Sequence, residues 1–370
     1  MWLAELQLAD FRNYRQLQLG LAPGSHLFFG ENGEGKTNLV EAVGFLGNLE
    51  SHRIGQQKSL VRQGADTATL SAKVQHSGRQ VLIAAELNRN SVNRYFLNTK
   101  AQKRASDLIG FLSTVIFAPE DLDLVRRDPA DRRHFLDYSM AQLRPRLAGL
   151  KQDYDRVLKQ RNALLKSART VKSVDLTTLD IWDDQLIDLG SKITEARLEL
   201  IAQIEPLLQS FYKSLSASQD QVSLTLVSLN QEESEENINR ETIADQLRSR
   251  LEVSRERELE RGITLVGPHR DELIIEKAGM LARSHASQGE AWSLALGLKL
   301  AMAQLIREGA GGDPVLILDD VFAVLDPGRR KRLIEFVQDF EQVLVTAADR
   351  DGTPEIAWAA AHEVSGGELK

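Results

Sequence analysis

The chain has 370 residues, a length that accommodates two or three domains at about 150 residues each. Its 42% hydrophobic and 27% charged residues are typical of a globular protein with a sizeable core. Because the chain contains no cysteine, disulfides, thiolate catalysis and cysteine-ligated zinc are excluded. A net charge of −7 argues mildly against a polyanionic partner for the chain as a whole.

The first residues and the apolar runs bear on cellular location. Asp10 and Arg12 interrupt the stretch in which a secretory signal needs apolar residues. No run approaches the roughly 18 apolar residues of a membrane-spanning helix. The sequence therefore predicts a cytoplasmic protein.

Short strands dominate the first third of the chain. Alternating apolar residues between turn residues predict strands at Trp2–Leu8, Gln16–Leu21, His26–Phe29, Ala68–Val74, Gln80–Glu86 and Asn93–Leu97. One predicted helix, Thr37–Leu46, interrupts them.

Long helices follow. From Arg144 to Arg261 glycine and proline are nearly absent, and apolar residues recur every three or four positions. Two such series, Leu147–Leu164 and Leu186–Phe211, predict an antiparallel helical hairpin or a small bundle. Beyond Ile263 the pattern alternates again, with predicted elements at Leu273–Glu276 (strand), Gln288–Arg307 (helix), Val315–Leu318 (strand), Gly328–Phe340 (helix) and Gln342–Thr346 (strand).

The simplest architecture is one α/β domain built from both ends of the chain, with a helical insertion between them. We divide the chain into 1–122, 123–261 and 262–370, where the middle segment is the helical arm. The acidic stretch Gln231–Glu236 is interpreted as a solvated loop.

Charge is distributed unevenly in the arm. Residues 123–172 hold 13 Lys and Arg against 6 Asp and Glu, whereas residues 173–260 hold 8 against 19. One interpretation is two solvated helix faces that attract each other; the other is a basic strip available to phosphates. The arginines of that strip are Arg126, Arg127, Arg132, Arg133, Arg144 and Arg146.

A phosphate-binding loop is the strongest motif. Its residues match G-x-x-x-x-G-K-T and are Gly30, Glu31, Asn32, Gly33, Glu34, Gly35, Lys36 and Thr37. An apolar strand precedes them and a helix follows, as this motif requires. The glycines let backbone N–H groups converge on phosphate oxygens at a helix N-terminus. Lys36 would contact the β- and γ-phosphates of ATP, and the Thr37 hydroxyl would ligate Mg²⁺.

A second motif is an apolar strand, Pro314–Leu318, that ends in Asp319 and Asp320. A run that is apolar on both faces is typical of a central parallel strand. We expect Asp319 to complete the Mg²⁺ shell and Asp320 to orient or deprotonate an attacking water. Asp326 follows, either as a second nucleotide contact or as the N-cap of the next helix.

The turn Ser287-Gln288-Gly289-Glu290 precedes a predicted helix and supports two interpretations. Ser and Gly at a helix N-terminus bind phosphate, but Ser287 with Glu290 also spells a capping box. A similar sequence, Val364–Glu368, comes after the acidic strand and leaves no room for a following helix. We interpret it as a coincidence of sequence.

Taken in order, these motifs resemble the ABC-type ATPase heads of SMC-like proteins and, more narrowly, the RecF family of bacterial recombination mediators. The resemblance covers nearly the whole chain. The residues that carry it are Phe11–Tyr14, Gly30–Thr37, Phe117–Leu122, Arg132-Arg133, Phe135–Asp137, Val266–Asp271, Ser287–Glu290, Leu318–Phe322 and Leu325-Asp326.

The resemblance implies an ABC-type head of mixed sheets and helices with an inserted helical arm. It implies an ATP-dependent homodimer in which Ser287, Gln288 and Gly289 of one subunit close over the γ-phosphate held by the other. It also implies binding to DNA at single-strand gaps and junctions, and action with RecO and RecR in loading recombinase. Arg53 is a further candidate for contact with nucleotide or DNA, and a solvated loop arginine is the alternative.

Three departures from the pattern bear on hydrolysis. ABC heads carry a glutamine near Phe117–Glu120, and this chain has none there. Asp320 stands where a glutamate is usual, and Thr346–Asp349 lacks the switch histidine. We therefore expect a weak, slow, DNA-dependent ATPase that acts as a switch.

Two other classes of protein carry phosphate loops. A transport ATPase would have the glutamine and only a short helical subdomain, and a P-loop kinase would have no reason for the Ser287–Glu290 turn. His269, flanked by Pro268 and Arg270, is interpreted as structural rather than catalytic.

Overall fold

The structure is a computed structural model that describes residues 1–51, 53, 57–76, 78–170, 177–227, 239–309, 312–350, 353 and 356–370. The acidic stretch 231–236 lies outside the described residues. Two compact units are formed, the first by Met1–Leu122, Leu207–Asp220 and Ala286–Lys370, the second by Asp123–Pro206 and Gln221–His285. The division into 1–122, 123–261 and 262–370 stays a prediction about domains.

The strands of the described residues are β1 (Trp2–Phe11), β2 (Tyr14–Gly20), β3 (Gly24–Phe29), β4 (Thr67–His76), β5 (Arg79–Asn88), β6 (Arg94–Leu97), β7 (Lys100–Ala101), β8 (Thr114–Phe117), β9 (Val222–Val227), β10 (Glu272–Lys277), β11 (Met280–Leu281), β12 (Val315–Asp319), β13 (Gln342–Ala347), β14 (Trp358–Ser365) and β15 (Glu368–Leu369). The helices are α1 (Lys36–Asn48), α2 (Asp123–Arg126), α3 (Pro129–Leu143), α4 (Ala148–Thr170), α5 (Thr177–Ser216), α6 (Arg240–Arg261), α7 (Ala282–His285), α8 (Gln288–Glu308) and α9 (Pro327–Val337).

A largely parallel sheet in the first unit positions the candidate site. Its strand order is β15-β14-β3-β13-β12-β8, and all neighbours are parallel except β14 and β15. Every residue of β12 and β13 is buried, which is why Val315–Leu318 and Val343–Val345 read as apolar runs. Because β3 and β12 run in the same direction, the phosphate loop and Asp319 leave the sheet at the same edge.

An antiparallel sheet, β2-β1-β4-β5-β6-β7, completes the first unit and alternates buried and exposed residues as half-covered strands do. Helix α1 lies close to β8 because two of its residues are glycines. A Cβ at Gly47 would come within 2.6 Å of Thr114 Oγ1. The buried Gln342 amide links the sheets by accepting from Leu3 N at 2.8 Å and donating to Leu3 O at 3.0 Å.

Buried ion pairs organise the second unit. Arg197 is 1% exposed and pairs with Asp271 at 3.0 Å and with Asp137 at 2.7 Å. Arg161 is 0% exposed and pairs with Glu258 at 2.7 Å. Removal of one partner would leave an uncompensated buried charge, so we expect substitution within these pairs to destabilise this unit. Helix α5 passes out of this unit at Pro206.

The predicted strands and shorter helices agree with the structure to within a few residues at each end, and the two long apolar series coincide with parts of α4 and α5, which extend further. Strands β8 and β9 were missing from the prediction, and β9 lies within 123–261, the segment predicted to be a helical arm. The β14–β15 hairpin was missing as well. It contains Val364–Glu368, so this sequence, which is similar to the Ser287–Glu290 turn, forms a hairpin turn. Among the described residues, no helix is both long enough and apolar enough to cross a bilayer.

Candidate nucleotide-binding site

The phosphate loop connects β3 to α1 through three glycines with left-handed backbone. Gly30, Gly33 and Gly35 have φ of +151°, +92° and +116°. A Cβ would collide with the Val364 carbonyl at position 30 and with the Asn13 amide at position 35, whereas position 33 faces open space. Larger residues are therefore excluded at both ends of the loop, and its middle stays accessible.

Lys36 folds back over the loop. Its ammonium donates to the carbonyl oxygens of Gly30 at 2.6 Å and Glu31 at 2.8 Å. Burial lowers the Lys36 pKa, and the nearby carboxylates of Asp320, Asp319 and Glu34 oppose that shift. The charge is thus held at the mouth of the loop, with Glu31 and Asn32 exposed beside it.

The acidic strand and the loop meet through hydroxyl groups. Thr37 Oγ1 donates to Asp319 Oδ1 at 3.0 Å, and Thr346 Oγ1 donates to the same oxygen at 2.7 Å. Thr346 stands at the end of β13, the strand between β3 and β12, and its hydroxyl also accepts from Asp320 N at 2.9 Å. Thr346 was not among the predicted site residues, because only the strand order reveals its position.

The pair Thr37 and Asp319 fits a magnesium ion. The Thr37 hydroxyl and the Asp319 carboxylate are already side by side, in hydrogen-bond contact at 3.0 Å. Both are hard oxygen donors, which Mg²⁺ prefers.

Asp320 combines backbone strain with a perturbed carboxyl. Its φ of 53° places a non-glycine residue in the left-handed region. Burial, and next the charge of Asp319, raise its pKa. A carboxyl of raised pKa in a strained position next to a phosphate loop has the character of a functional group.

The turn between β1 and β2 braces the loop. Asn13 Nδ2 donates to Glu34 O at 2.9 Å, and the buried Tyr14 hydroxyl donates to Gly35 O at 3.0 Å. Burial raises the Tyr14 pKa, so the phenol keeps the proton that it donates. These residues carry the family resemblance, but no local pattern points to their contact with the loop, which joins positions 21 residues apart.

The Ser287–Glu290 turn begins α8 as a capping box. Ser287 N donates to Glu290 Oε2 at 2.8 Å, and Glu290 N donates to Ser287 Oγ at 3.3 Å. These partners lie within the turn itself, so the structure does not bring Ser287 to the phosphate loop of the same chain. Ser287 and Gln288 are exposed and available to another molecule.

Asp326 is the N-cap of α9, which was one of its two interpretations. Its carboxylate accepts from Arg329 N at 3.0 Å and pairs with the Arg329 guanidinium. These hydrogen bonds lower the Asp326 pKa. Arg329 Nε also donates to Ser293 Oγ of α8 at 2.9 Å, which links the starts of α8 and α9.

Helix α8 contributes a lysine to the turn after β8, the turn in which ABC-type heads usually carry a glutamine. Lys299 of α8 donates to Ile116 O at 3.0 Å and pairs with Asp121 at 2.9 Å. Asp121 in turn accepts from Ala118 N at 2.9 Å. The turn after β8 is therefore fixed by an ion pair to α8.

The candidate DNA arginines divide into two kinds. Arg53, Arg126 and Arg127 are exposed. Arg132 is 3% exposed and donates to Glu272 Oε1 and to the Leu124 and Arg127 carbonyls, so its guanidinium is not available to DNA in this structure. Arg133 donates to Asp271 O at 2.7 Å and is half-buried.

His269 lies in the second unit against Tyr154. Its Nδ1 is 2.7 Å from the Tyr154 hydroxyl, and burial lowers its pKa to about 4. A neutral ring fixed to a buried tyrosine serves the packing of this unit, in agreement with the structural interpretation of this residue.

Comparison with known proteins gives consistent matches over the whole chain. The family described as RecF/RecN/SMC N terminal domain matches residues 2–360. A protein of Clavibacter sepedonicus named DNA replication and repair protein RecF is 46% identical over 387 positions, which cover 100% of this chain and 95% of that protein. The protein of the same name from Streptomyces avermitilis is 44% identical over 375 positions, with 100% of both covered.

Solved structures agree with these relatives. A structure described as the recombination mediator protein RecF with ATP in the RecFOR pathway has a TM-score of 0.91 and 27% identity, and covers 100% of this chain and 97% of that one. An Smc head domain from Pyrococcus yayanosii has a TM-score of 0.55 at 14% identity, which concerns the fold alone. The predicted fold class, an ATPase head of mixed sheets and helices, is confirmed.

Proposed function

The chain belongs to the RecF/RecN/SMC N-terminal domain family, and from this premise we propose that it is an ATP-dependent DNA-binding protein of recombinational repair and replication. The observation that carries the proposal is the contact of Thr37 and Asp319 at 3.0 Å, since it joins the phosphate loop to the acidic strand at one sheet edge. The DNA-repair role rests on the names of the relatives.

In this proposal the loop residues Gly30–Thr37 bind ATP. The loop amides and Lys36 hold the phosphates, and Thr37 and Asp319 hold Mg²⁺, which neutralises phosphate charge when bound. When ATP binds, the Lys36 ammonium exchanges its two neutral carbonyl partners for negatively charged phosphate oxygens. Asp320 orients a water molecule or accepts its proton.

A homodimer completes the site. Ser287 and Gln288 of the capped turn are exposed, and the turn's capping contacts lie within it rather than with the phosphate loop of its own chain. A symmetric pair of subunits gives that turn a partner, because each subunit then offers one loop and one turn. We assign Ser287, Gln288 and Gly289 to the γ-phosphate in trans.

Hydrolysis is slow in this proposal. In the turn after β8, Asp121 pairs with Lys299 of α8, and the turn has no glutamine that could reach a metal. The strained Asp320 has a shorter side chain than the usual glutamate. The rate of ATP hydrolysis therefore sets the lifetime of the dimer, and the enzyme is a weak DNA-dependent ATPase.

The partners we propose are gapped DNA with single- and double-stranded parts, and RecO and RecR, with which the protein would load recombinase. The RecFOR pathway named with the solved structure supports the latter two. A transport ATPase or a kinase would share the phosphate loop but not the family match over residues 2–360.

Sedimentation of the wild type with ATP, with ADP and without nucleotide tests the proposal, together with gel shifts on gapped and fully duplex DNA. We expect a dimer and DNA binding with ATP only. Ser287→Arg should keep ATP affinity and lose the dimer, since its bulk and charge stand at the subunit contact. Equal dimerisation with ADP, or in that variant, would contradict the shared site.

A further inference from the structure

The β14–β15 hairpin contacts the phosphate loop from the side opposite the acidic strand. In the sheet order, β14 lies on one side of β3, and β13 and β12 lie on the other. The hairpin turn places the backbone N–H of Gly366 on the Glu34 carboxylate and that of Gly367 on Glu34 O, at 3.1 Å. The Val364 carbonyl closes the space beside Gly30.

The contact matters because Glu34 brings a negative charge into a loop that is built for anions. A free carboxylate there would repel phosphate oxygens. The Gly366 N–H instead binds this carboxylate on the β14 side of the loop. Asn13 Nδ2 adds a donor to Glu34 O at 2.9 Å, so the residue is held at both its backbone and its side chain.

We propose that the turn Ser365–Glu368 is a positioning element of the phosphate loop, which holds the Glu34 carboxylate away from bound phosphates. The inference rests on the proposed function in that it concerns nucleotide binding. It assigns a role to Val364–Glu368, whose similarity to the Ser287–Glu290 turn was interpreted above as a coincidence.

Two glycines of the turn provide a matched pair of variants. Gly366 and Gly367 have φ of +61° and +80°, as a tight hairpin turn requires, so alanine strains the backbone at either position. At Gly367 the added Cβ would lie 2.9 Å from the Asn13 carbonyl oxygen, and at Gly366 it would meet nothing within 4 Å. Only Gly367→Ala should therefore displace the turn from the loop.

Titration with a fluorescent ATP analogue tests the inference, with thermal unfolding as the control for folding. Gly367→Ala should weaken affinity by about tenfold, whereas Gly366→Ala should stay close to the wild type. Adding Glu34→Gln to Gly367→Ala should restore affinity, because a neutral amide does not repel phosphate. A turn that merely stabilised the fold would not be rescued in this way.

A second pair of variants avoids the glycines and keeps the test open if Gly367→Ala does not fold. Glu34→Asp keeps the charge but is one methylene too short for the Gly366 N–H, so affinity should fall by about tenfold. Glu34→Gln keeps the side-chain length and removes the charge, so its affinity should fall by less than that of Glu34→Asp. Equal affinity for Glu34→Asp and Glu34→Gln would overturn the inference and leave the proposed function standing, whereas a wild type with no ATP affinity would overturn both.

Discussion

The Arg329 guanidinium lies directly against Gly289, so close that a Cβ at position 289 would come within 2.7 Å of Nη2. Glycine in the Ser287–Glu290 turn therefore leaves room for a side chain from α9. The same arginine binds Asp326 and Ser293, so position 289 is coupled to the start of α9.

Gly289→Ala should separate folding from dimerisation. The arginine is flexible and can move away, and alanine is the better helix former by up to about 1 kcal/mol, so the melting temperature should not fall. The displaced guanidinium should weaken the ATP-dependent dimer, measured by sedimentation, while ATP binding to the monomer is kept. A variant that dimerises like the wild type would show that the turn tolerates a displaced Arg329.

Lys36→Met should abolish ATP binding without unfolding the protein. The substitution keeps the stem volume and removes the charge that the loop holds over Gly30 and Glu31. Calorimetric titration with ATP measures the loss, and Lys58→Met, at an exposed position, is the matched control. Wild-type affinity in a folded Lys36→Met protein would refute the assigned site.

Asp320→Asn should stabilise the protein at neutral pH. A carboxyl whose pKa is raised by folding lowers stability as the pH rises from its unfolded value of about 3.8 through its folded value. Asparagine removes this cost and also tolerates the left-handed φ of 53°. The gain should be about 1 kcal/mol at most, since the group is partly hydrated.

Chemical unfolding of wild type and Asp320→Asn at pH 7 and at a pH well below 3.8 checks this sign. The advantage of the variant should disappear in acid, where Asp320 is protonated in both the folded and the unfolded state. An advantage that persisted there would point to relief of backbone strain instead. ATP hydrolysis should fall in the variant at every pH.

Arg126→Glu with Arg127→Glu should weaken ATP-dependent DNA binding. Both arginines are exposed, whereas Arg132 is held inside the second unit. For every phosphate that the variant no longer neutralises, the log–log salt slope should become shallower by about 0.9 on duplex DNA. The control is Arg79→Glu with Arg94→Glu, which makes the same charge change at exposed strand positions. Equal losses of affinity in both double variants would assign the effect to net charge alone.

Local patterns predicted the phosphate loop, the acidic strand and the capped turn because each motif lies within one short segment. The contacts that join them could not be predicted in this way. Thr346 reaches Asp319 across 27 positions, and Tyr14 reaches Gly35 across 21. Only the strand order brings such residues together.

The β14–β15 hairpin was missed for a compositional reason. Trp358–Ser365 contains three consecutive alanines and little alternation, so strand propensity is weak. For Arg132 the prediction was wrong about exposure. A charged residue in a basic segment is expected at the surface, whereas Arg132 is buried. Its pairing with Glu272, 140 positions away, is what permits burial.

The place of β3 between β13 and β14 has a consequence for biosynthesis. Both neighbours of β3 lie more than 300 positions further along the chain, at Gln342–Ala347 and Trp358–Ser365, although β3 itself ends at Phe29. During translation this strand stays unpaired on both edges until those distant segments have left the ribosome. Non-local parallel pairing of this kind folds slowly and exposes chains to aggregation. We expect the nascent protein to depend on chaperones, and its ATP site to form among the last of its features.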